Sequence, residues 1–396
     1  MVENKKAVHL MGLAMLLGLF VPHTSTFLLI INPLLCVVLF FVFKEEHNHT
    51  AKSFGPVKLF LCGIIVISTL HSVVSIQHGS NKYLLSSIMW WLLLLLFPFA
   101  GNNNIPKGYY FVAVYFIILT QVIYLLNVPS LQHLMETIYP AVGESTITVY
   151  ERMTRNITTT NIFNYRLGGL YYNPNQCSRY VCLITAAYLA ERNNAPLKKV
   201  SLFILSAFVS VLLTGSRTGL VVIFLIITFF TYRNSSVKKE AKVALSVAFL
   251  VIILPLFIFG SNDYRGFNVS QGLNNSANKK WYVIADYLSQ DNTVFHLLFG
   301  YGDIENFQPS SIWIMENFDS EYGNVIYCYG FLGFFMLVLF YINAIKACPQ
   351  RCRFFFFILL WSITSTIMMS YRMSFVFMLF LSHIVTLKQD YSLRYE

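Results

Sequence analysis

The sequence predicts an all-α, polytopic integral membrane protein with about twelve transmembrane helices and two long outer loops. Three observations carry that reading. Hydrophobic residues make up 56% of the chain and charged residues 12%, with a mean hydropathy of +0.59, well above a water-soluble domain. Apolar runs of membrane-crossing length recur along all 396 residues, which read as one transmembrane domain. Basic residues gather in alternate connections, because cytoplasmic loops retain Lys and Arg while short translocated loops do not.

The elements follow in order. Apolar runs fall at 8–21, 25–43, 57–76, 83–100, 108–127 and 176–190. The first lacks a small-residue cleavage site and another run follows within a few residues, so it is expected to stay as a span. Next comes 200–232, about 33 residues or roughly 50 Å as helix, too long for one crossing of a core about 30 Å thick. LLTGSRTGLVV interrupts it, and Gly215 and Gly219 permit a tight turn. Two short spans result, with the turn held below the membrane surface. The remaining runs are 241–259, 324–345, 354–370 and 374–387.

One alternation places Lys5/Lys6, Lys44/Lys52/Lys58, Lys107, Arg192/Lys198/Lys199, Arg233/Lys238/Lys239/Lys242, Lys346/Arg351/Arg353 and Lys388/Arg394 on one face, 18 of the 28 basic residues. Both termini are therefore expected in the cytoplasm. Fusing the two spans around Arg217 would turn the Arg233–Lys242 group outward, against the rule. The net charge of +10 is thus a topology signal, and nucleic acid is not an expected partner. Five of the seven cysteines lie in or beside spans, and Cys348 and Cys352 face a reducing cytoplasm, so no disulfide framework is expected.

Two loops, 128–175 and 260–323, fall on the outer face and hold 11 of the 18 acidic residues. Chemistry is expected there. Arg217 stands out, because a permanent charge between two apolar runs is costly and usually meets an anion. Upstream, YRLGGLYYNPNQCSRYVCL places Arg166 beside Gly168 and Gly169, then Asn173 as cap and Pro174 as first residue of the sixth span. Asn175 and Arg179, four apart, share a face. The sixth, eighth and tenth spans all begin outside, so their unpaired N–H groups and positive dipole ends favour phosphate there. Bland readings stand beside these. Arg179 and Arg372 also suit snorkelling anchors, Arg166 can pair with Glu144 or Glu151, Asp319 and Glu321 suit helix caps, and His296 suits loop packing.

Taken in order, the Arg before GGLYYNPN, the GSRTG opening a span, and LLFGYG with DSEYGNVIYCYGFLG after a long outer loop resemble the bacterial O-antigen polymerase and O-antigen ligase superfamily. These are GT-C-type membrane glycosyltransferases. The resemblance covers roughly 160 to 340. Ligases of that superfamily resemble one another in a catalytic His before the span that follows the second long loop. Here that place reads Asp319-Ser320-Glu321-Tyr322, which favours polymerase. The Arg-x10-Gly pattern of some polymerases is absent, since Cys177 and Ser276 stand eleven after Arg166 and Arg265.

The resemblance implies transfer of a growing glycan from undecaprenyl pyrophosphate to a sugar hydroxyl of the next lipid-linked repeat unit, at the periplasmic face of the inner membrane. Arg forks match a pyrophosphate leaving group. Arg217 and Arg166 are the expected clamp, and Arg179, Lys280 and Arg372 are further cations. Asp319, then Glu321, are the expected general bases. Asn173, Asn175, Tyr172 and Tyr322 are expected to line the substrate site. No metal and no cofactor are expected, and the partners are the lipid-linked donor and acceptor, the bilayer and a chain-length regulator. The alternatives are an O-antigen ligase and a lipid-linked oligosaccharide flippase or transporter. A transporter would place charges near mid-span and show two related halves, whereas here the charges gather at one membrane face.

Overall fold

Helix α6 (Pro174–Glu191) sits at the centre of the protein, with every residue from Cys177 to Ala190 buried. A helix apolar or small on all sides belongs inside a bundle. In this computed structural model the described residues are 5–21, 25–42, 55–77, 105–139, 166–171, 173–192, 195–234, 237–248, 285, 288, 293–301, 320–363, 367–368 and 371–387. Before α6 come α1 (Lys5–Phe20), α2 (Ser25–Val42), α3 (Gly55–Gln77), α4 (Lys107–Leu125), α5 (Pro129–Ile138) and a 3-10 turn, Gly169–Tyr171. After it come α7 (Leu197–Thr214), α8 (Arg217–Arg233), α9 (Lys239–Ala248), α10 (Val294–Phe299), α11 (Glu321–Ala347), a 3-10 segment Gln350–Ile363 and α12 (Tyr371–Thr386).

The described residues contain no strand, in keeping with the all-α expectation. By length and composition, α4, α7 and α11 can each cross a membrane, and shorter apolar stretches run from His9–Phe20, Lys58–His71 and Met373–Val385. The run expected at 83–100 lies outside the described residues, as do most of the two long loops. The span expected at 354–370 takes another form, because Gln350–Ile363 is 3-10 rather than α. At about 2.0 Å per residue its 14 residues cover roughly 28 Å, against about 21 Å as α-helix.

The interrupted run at 200–232 does fold as two helices. Gly215 takes a left-handed φ of 58° to end α7, and Ser216 caps α8 by accepting from the Gly219 N–H at 3.3 Å. A second interruption lies inside α11, where Gly330 is non-helical at φ 67°. There α10 is wedged against the break. A Cβ at Gly300 (φ 79°) would stand 2.5 Å from the Cys328 and Tyr329 backbone, and one at Gly330 would collide with the Leu298 backbone. The Tyr301 N–H donates to the Tyr327 carbonyl at 2.9 Å, and His71 Nε2 of α3 donates to the Phe299 carbonyl at 2.6 Å.

At the other end of α6, ionisable groups converge. Glu191 accepts from the Tyr110 hydroxyl and pairs with Arg192 and His383, each at 2.9 Å. Arg192 also lies 4.4 Å over the Tyr188 ring and donates to the Ile105 carbonyl at 3.0 Å. Tied this way, α4, α6 and α12 keep a fixed mutual height.

Candidate functional site

The site is built on one face of the first two turns of α6, where Asn175, Ser178, Arg179 and Cys182 follow helical spacing. Asn173 caps this helix, its side-chain oxygen accepting from the N–H groups of Asn175 at 2.9 Å and Gln176 at 3.4 Å. Asn175 in turn accepts from Arg166 Nη2 at 3.3 Å, which brings the half-buried loop arginine onto the helix start.

That loop is fixed from below by Gln121 of α4. Its amide nitrogen donates to the carbonyls of Leu167 and Ser210, both at 3.1 Å, and its oxygen accepts from the Ser210 hydroxyl at 2.8 Å. The Leu167 N–H donates to the Leu213 carbonyl at 3.0 Å, so the Arg166 loop is stitched to the last turn of α7. One amide thus joins α4, the loop and α7. Gln121 was not singled out in the sequence, although a lone amide within the apolar run IILTQVIYLL is the kind of signal that marks a buried polar tie.

The start of α8 closes the other side. A Cβ on Gly219 would lie 2.7 Å from Ser178 Cβ, so the glycine allows the two helices to touch. Cys182 Sγ meets the Gly219 carbonyl at 3.6 Å. Arg217, half-buried and two residues before Gly219, therefore sits at the same level as Ser178 and Arg179. Arg179 itself is 2% exposed. The ends of α6 and α8 point their positive dipole ends toward this level. Arg166, held on Asn175, and Arg179 thus belong to the start of α6, and Arg217 opens the adjoining start of α8; helix starts and guanidinium forks each suit an anion with several oxygens.

Glu321 opens α11 and is 0% exposed. Its Oε2 accepts from the Ser362 hydroxyl at 2.7 Å and the Ile367 N–H at 3.1 Å, and its Oε1 from the Met368 N–H at 2.6 Å and the Tyr341 hydroxyl at 3.2 Å. Both oxygens are engaged, so the carboxyl fastens α11 to the 3-10 segment and to the turn before α12. Ser320 caps α11, accepting from the Gly323 N–H at 3.5 Å and donating to the Ser362 carbonyl at 3.4 Å. Tyr322 sets its ring edge-on to Phe334. Arg372 is the second residue of α12, and its side chain lies outside the described residues, as do Tyr172, Lys280 and Asp319. His296 packs rather than projects, stacked 4.3 Å from Tyr301 and bonded to Thr293 at 3.0 Å.

Arginines thus stand at the starts of α6 and α8, in a chain whose helices α4, α7 and α11 are long and apolar enough to cross a membrane. Residues 202–338 match a model of the O-antigen ligase family, so this stretch of the chain is similar to that family. No curated protein matches the chain. The matched stretch includes Arg217, Lys280, Asp319, Glu321 and Tyr322, whereas Arg166, Asn173, Asn175, Arg179 and Arg372 lie outside it.

Proposed function

We propose that the protein is a surface-polysaccharide polymerase, which transfers a growing glycan from undecaprenyl pyrophosphate to a hydroxyl of the incoming lipid-linked repeat unit on the periplasmic side of a twelve-span inner-membrane protein. The observation that carries this reading is the grouping of Arg166, Arg179 and Arg217 around the capped starts of α6 and α8. In the reaction the bond between the donor sugar and pyrophosphate breaks while the acceptor oxygen bonds to that sugar. Charge grows on the leaving pyrophosphate, and guanidinium forks placed there stabilise it. Arg217 and Arg166 are the clamp, with Arg179, Lys280 and Arg372 as supporting cations.

The acceptor proton needs a base. Glu321 is occupied on both oxygens, so the role falls to Asp319, next to the cap Ser320. Asn175 orients Arg166, and Tyr172 and Tyr322 offer ring faces to sugars. A chain-length regulator is the expected protein partner. Ligase is the second reading, favoured by the family description. Against it stands Asp319-Ser320-Glu321-Tyr322 where ligases resemble one another in a His.

The test is deletion of the gene in its host, complementation with wild type and Arg217→Ala, and separation of the surface polysaccharide on a gel. Collapse of a ladder to single-repeat molecules is the polymerase outcome. Loss of all surface repeats with long lipid-linked polymer accumulating means ligase, and short lipid-linked units trapped inside mean flippase. Arg217→Ala is expected to lower polymer formation by about two to three orders of magnitude with normal insertion, and Arg217→Lys to restore little because it lacks the fork. A full ladder from Arg217→Ala would refute the assignment.

A further inference from the structure

Helix α5 has three faces. Taking about 100° per residue, Gln132, Met135 and the following Tyr139 lie together and are buried, each 7% exposed. About 100° around the axis lie Leu131, Leu134 and Ile138, which are 43%, 52% and 44% exposed. A further 100° or so around stand Ser130, His133 and Thr137, also exposed. A helix on a protein surface in water needs two faces, one to the core and one to solvent. A third face made of three large aliphatic side chains calls for an apolar surrounding.

The neighbouring span says which one. On α4, Val112, Tyr115 and Leu119 are exposed at helical spacing, 53%, 43% and 55% respectively, and Leu126 just beyond its end is 67% exposed. On a helix of membrane-crossing length such a stripe meets lipid. Asn127, at a φ of 49°, then turns the chain into α5, and Gln132 donates to Asn127 Oδ1 at 3.1 Å to hold the corner. Exposed apolar side chains thus stand on both sides of one fixed corner, on α4 and Leu126 before it and on α5 after it.

We infer that α5 lies flat in the outer-leaflet interface of the phospholipid bilayer, with Leu131, Leu134 and Ile138 in the acyl boundary and Ser130, His133 and Thr137 toward water. Its far end is tied to the site. The Tyr139 hydroxyl donates to the Phe20 carbonyl at 2.9 Å, and the Tyr171 hydroxyl, at the end of the Arg166 loop, donates to the adjacent Leu19 carbonyl at 3.1 Å. The last turn of α1 is therefore a common hanger for α5 and for the arginine loop. A helix floating at the headgroup boundary sets the height of that loop at the depth where the phosphates of a membrane-borne substrate lie, a consequence that rests on the reading above.

The test uses the full-length protein in native membranes and in nanodiscs. Single cysteines at Leu131, Leu134, Ile138, Ser130, His133 and Thr137 are treated with a membrane-impermeant maleimide, with the parent chain as baseline. The three aliphatic positions are expected to label at least tenfold more slowly than the three polar ones. A bimane probe at Leu134→Cys is expected to lose fluorescence with nitroxide-bearing lipids in the nanodisc. Equal labelling at all six positions would overturn the proposal, and so would protection without lipid quenching, which means protein covers the face. The double variant Leu131→Gln/Leu134→Gln is expected to cut polymer yield severalfold, and an unchanged yield would refute the height-setting role. The labelling result decides the seat of α5 whether or not Arg217→Ala abolishes polymer.

Discussion

Exchanging Glu321 for Gln keeps the shape of the side chain and turns one acceptor oxygen into a donor. In the folded protein each oxygen receives one hydroxyl and one backbone N–H, Ser362 and Ile367 on one side, Tyr341 and Met368 on the other. The hydroxyls can rotate to accept from an amide, but a backbone N–H cannot. Whichever way the Gln amide faces, one buried N–H meets another donor and is orphaned, at about 1–3 kcal/mol. The remaining bonds change from a carboxylate acceptor to a neutral one and lose roughly 1 kcal/mol more between them. The expected destabilisation is about 3 kcal/mol for Glu321→Gln. For Glu321→Ala, which orphans both backbone groups, it is larger, and for Ser362→Ala about 1 kcal/mol. Unfolding in detergent at a fixed scan rate, followed by the exposure of buried cysteines to a thiol dye, should find Glu321→Ala the least stable, then Glu321→Gln, then Ser362→Ala. A Glu321→Gln protein that unfolds like wild type yet makes no polymer would refute this reasoning and return the carboxyl to the role of base.

The remaining expectations rest on close packing and a single amide. Gly330→Ala and Gly300→Ala should each destabilise by more than about 2 kcal/mol, since both need positive φ and a Cβ would strike backbone; melting temperatures as high as wild type would show that α10 does not seat in the break of α11. Gln121→Leu should leave insertion intact and lower polymer yield by freeing the Arg166 loop from α4 and α7; an unchanged ladder on the gel would mean that the loop is held without it.

What was legible in the sequence had local causes. The hairpin at Arg217 could be read because Gly215 and Ser216 interrupt an apolar run, and the start of α6 because Asn173-Pro174 is a cap followed by a first-turn residue. The break in α11 was not legible. YCYGFLGFF reads as an unbroken apolar stretch, and glycines are ordinary in spans; the break depends on α10 packing there from a separate segment. The 3-10 form of Gln350–Ile363 was hidden for a similar reason, because apolar content fits either helix. Glu321 read as a candidate base or cap because its partners Tyr341, Ser362, Ile367 and Met368 lie 20 to 47 residues away. The same holds for Gln121, whose hydrogen bonds join α4, the Arg166 loop and α7, segments that the sequence presents separately.

The hydrogen bond from His71 to the Phe299 carbonyl has a consequence for biogenesis. Its two ends are 228 residues apart. At a synthesis rate of about 5–20 residues per second, α3 leaves the ribosome roughly 10 to 50 s before its partner exists. An imidazole cannot wait that long in hydrocarbon without a polar companion. Its place six residues from the end of α3 keeps it near the hydrated headgroup layer, where water can serve the imidazole until the partner is made. The bond can form only after α10 arrives, and α10 itself seats against α11, which is made later still, so α3 is locked in place late in assembly.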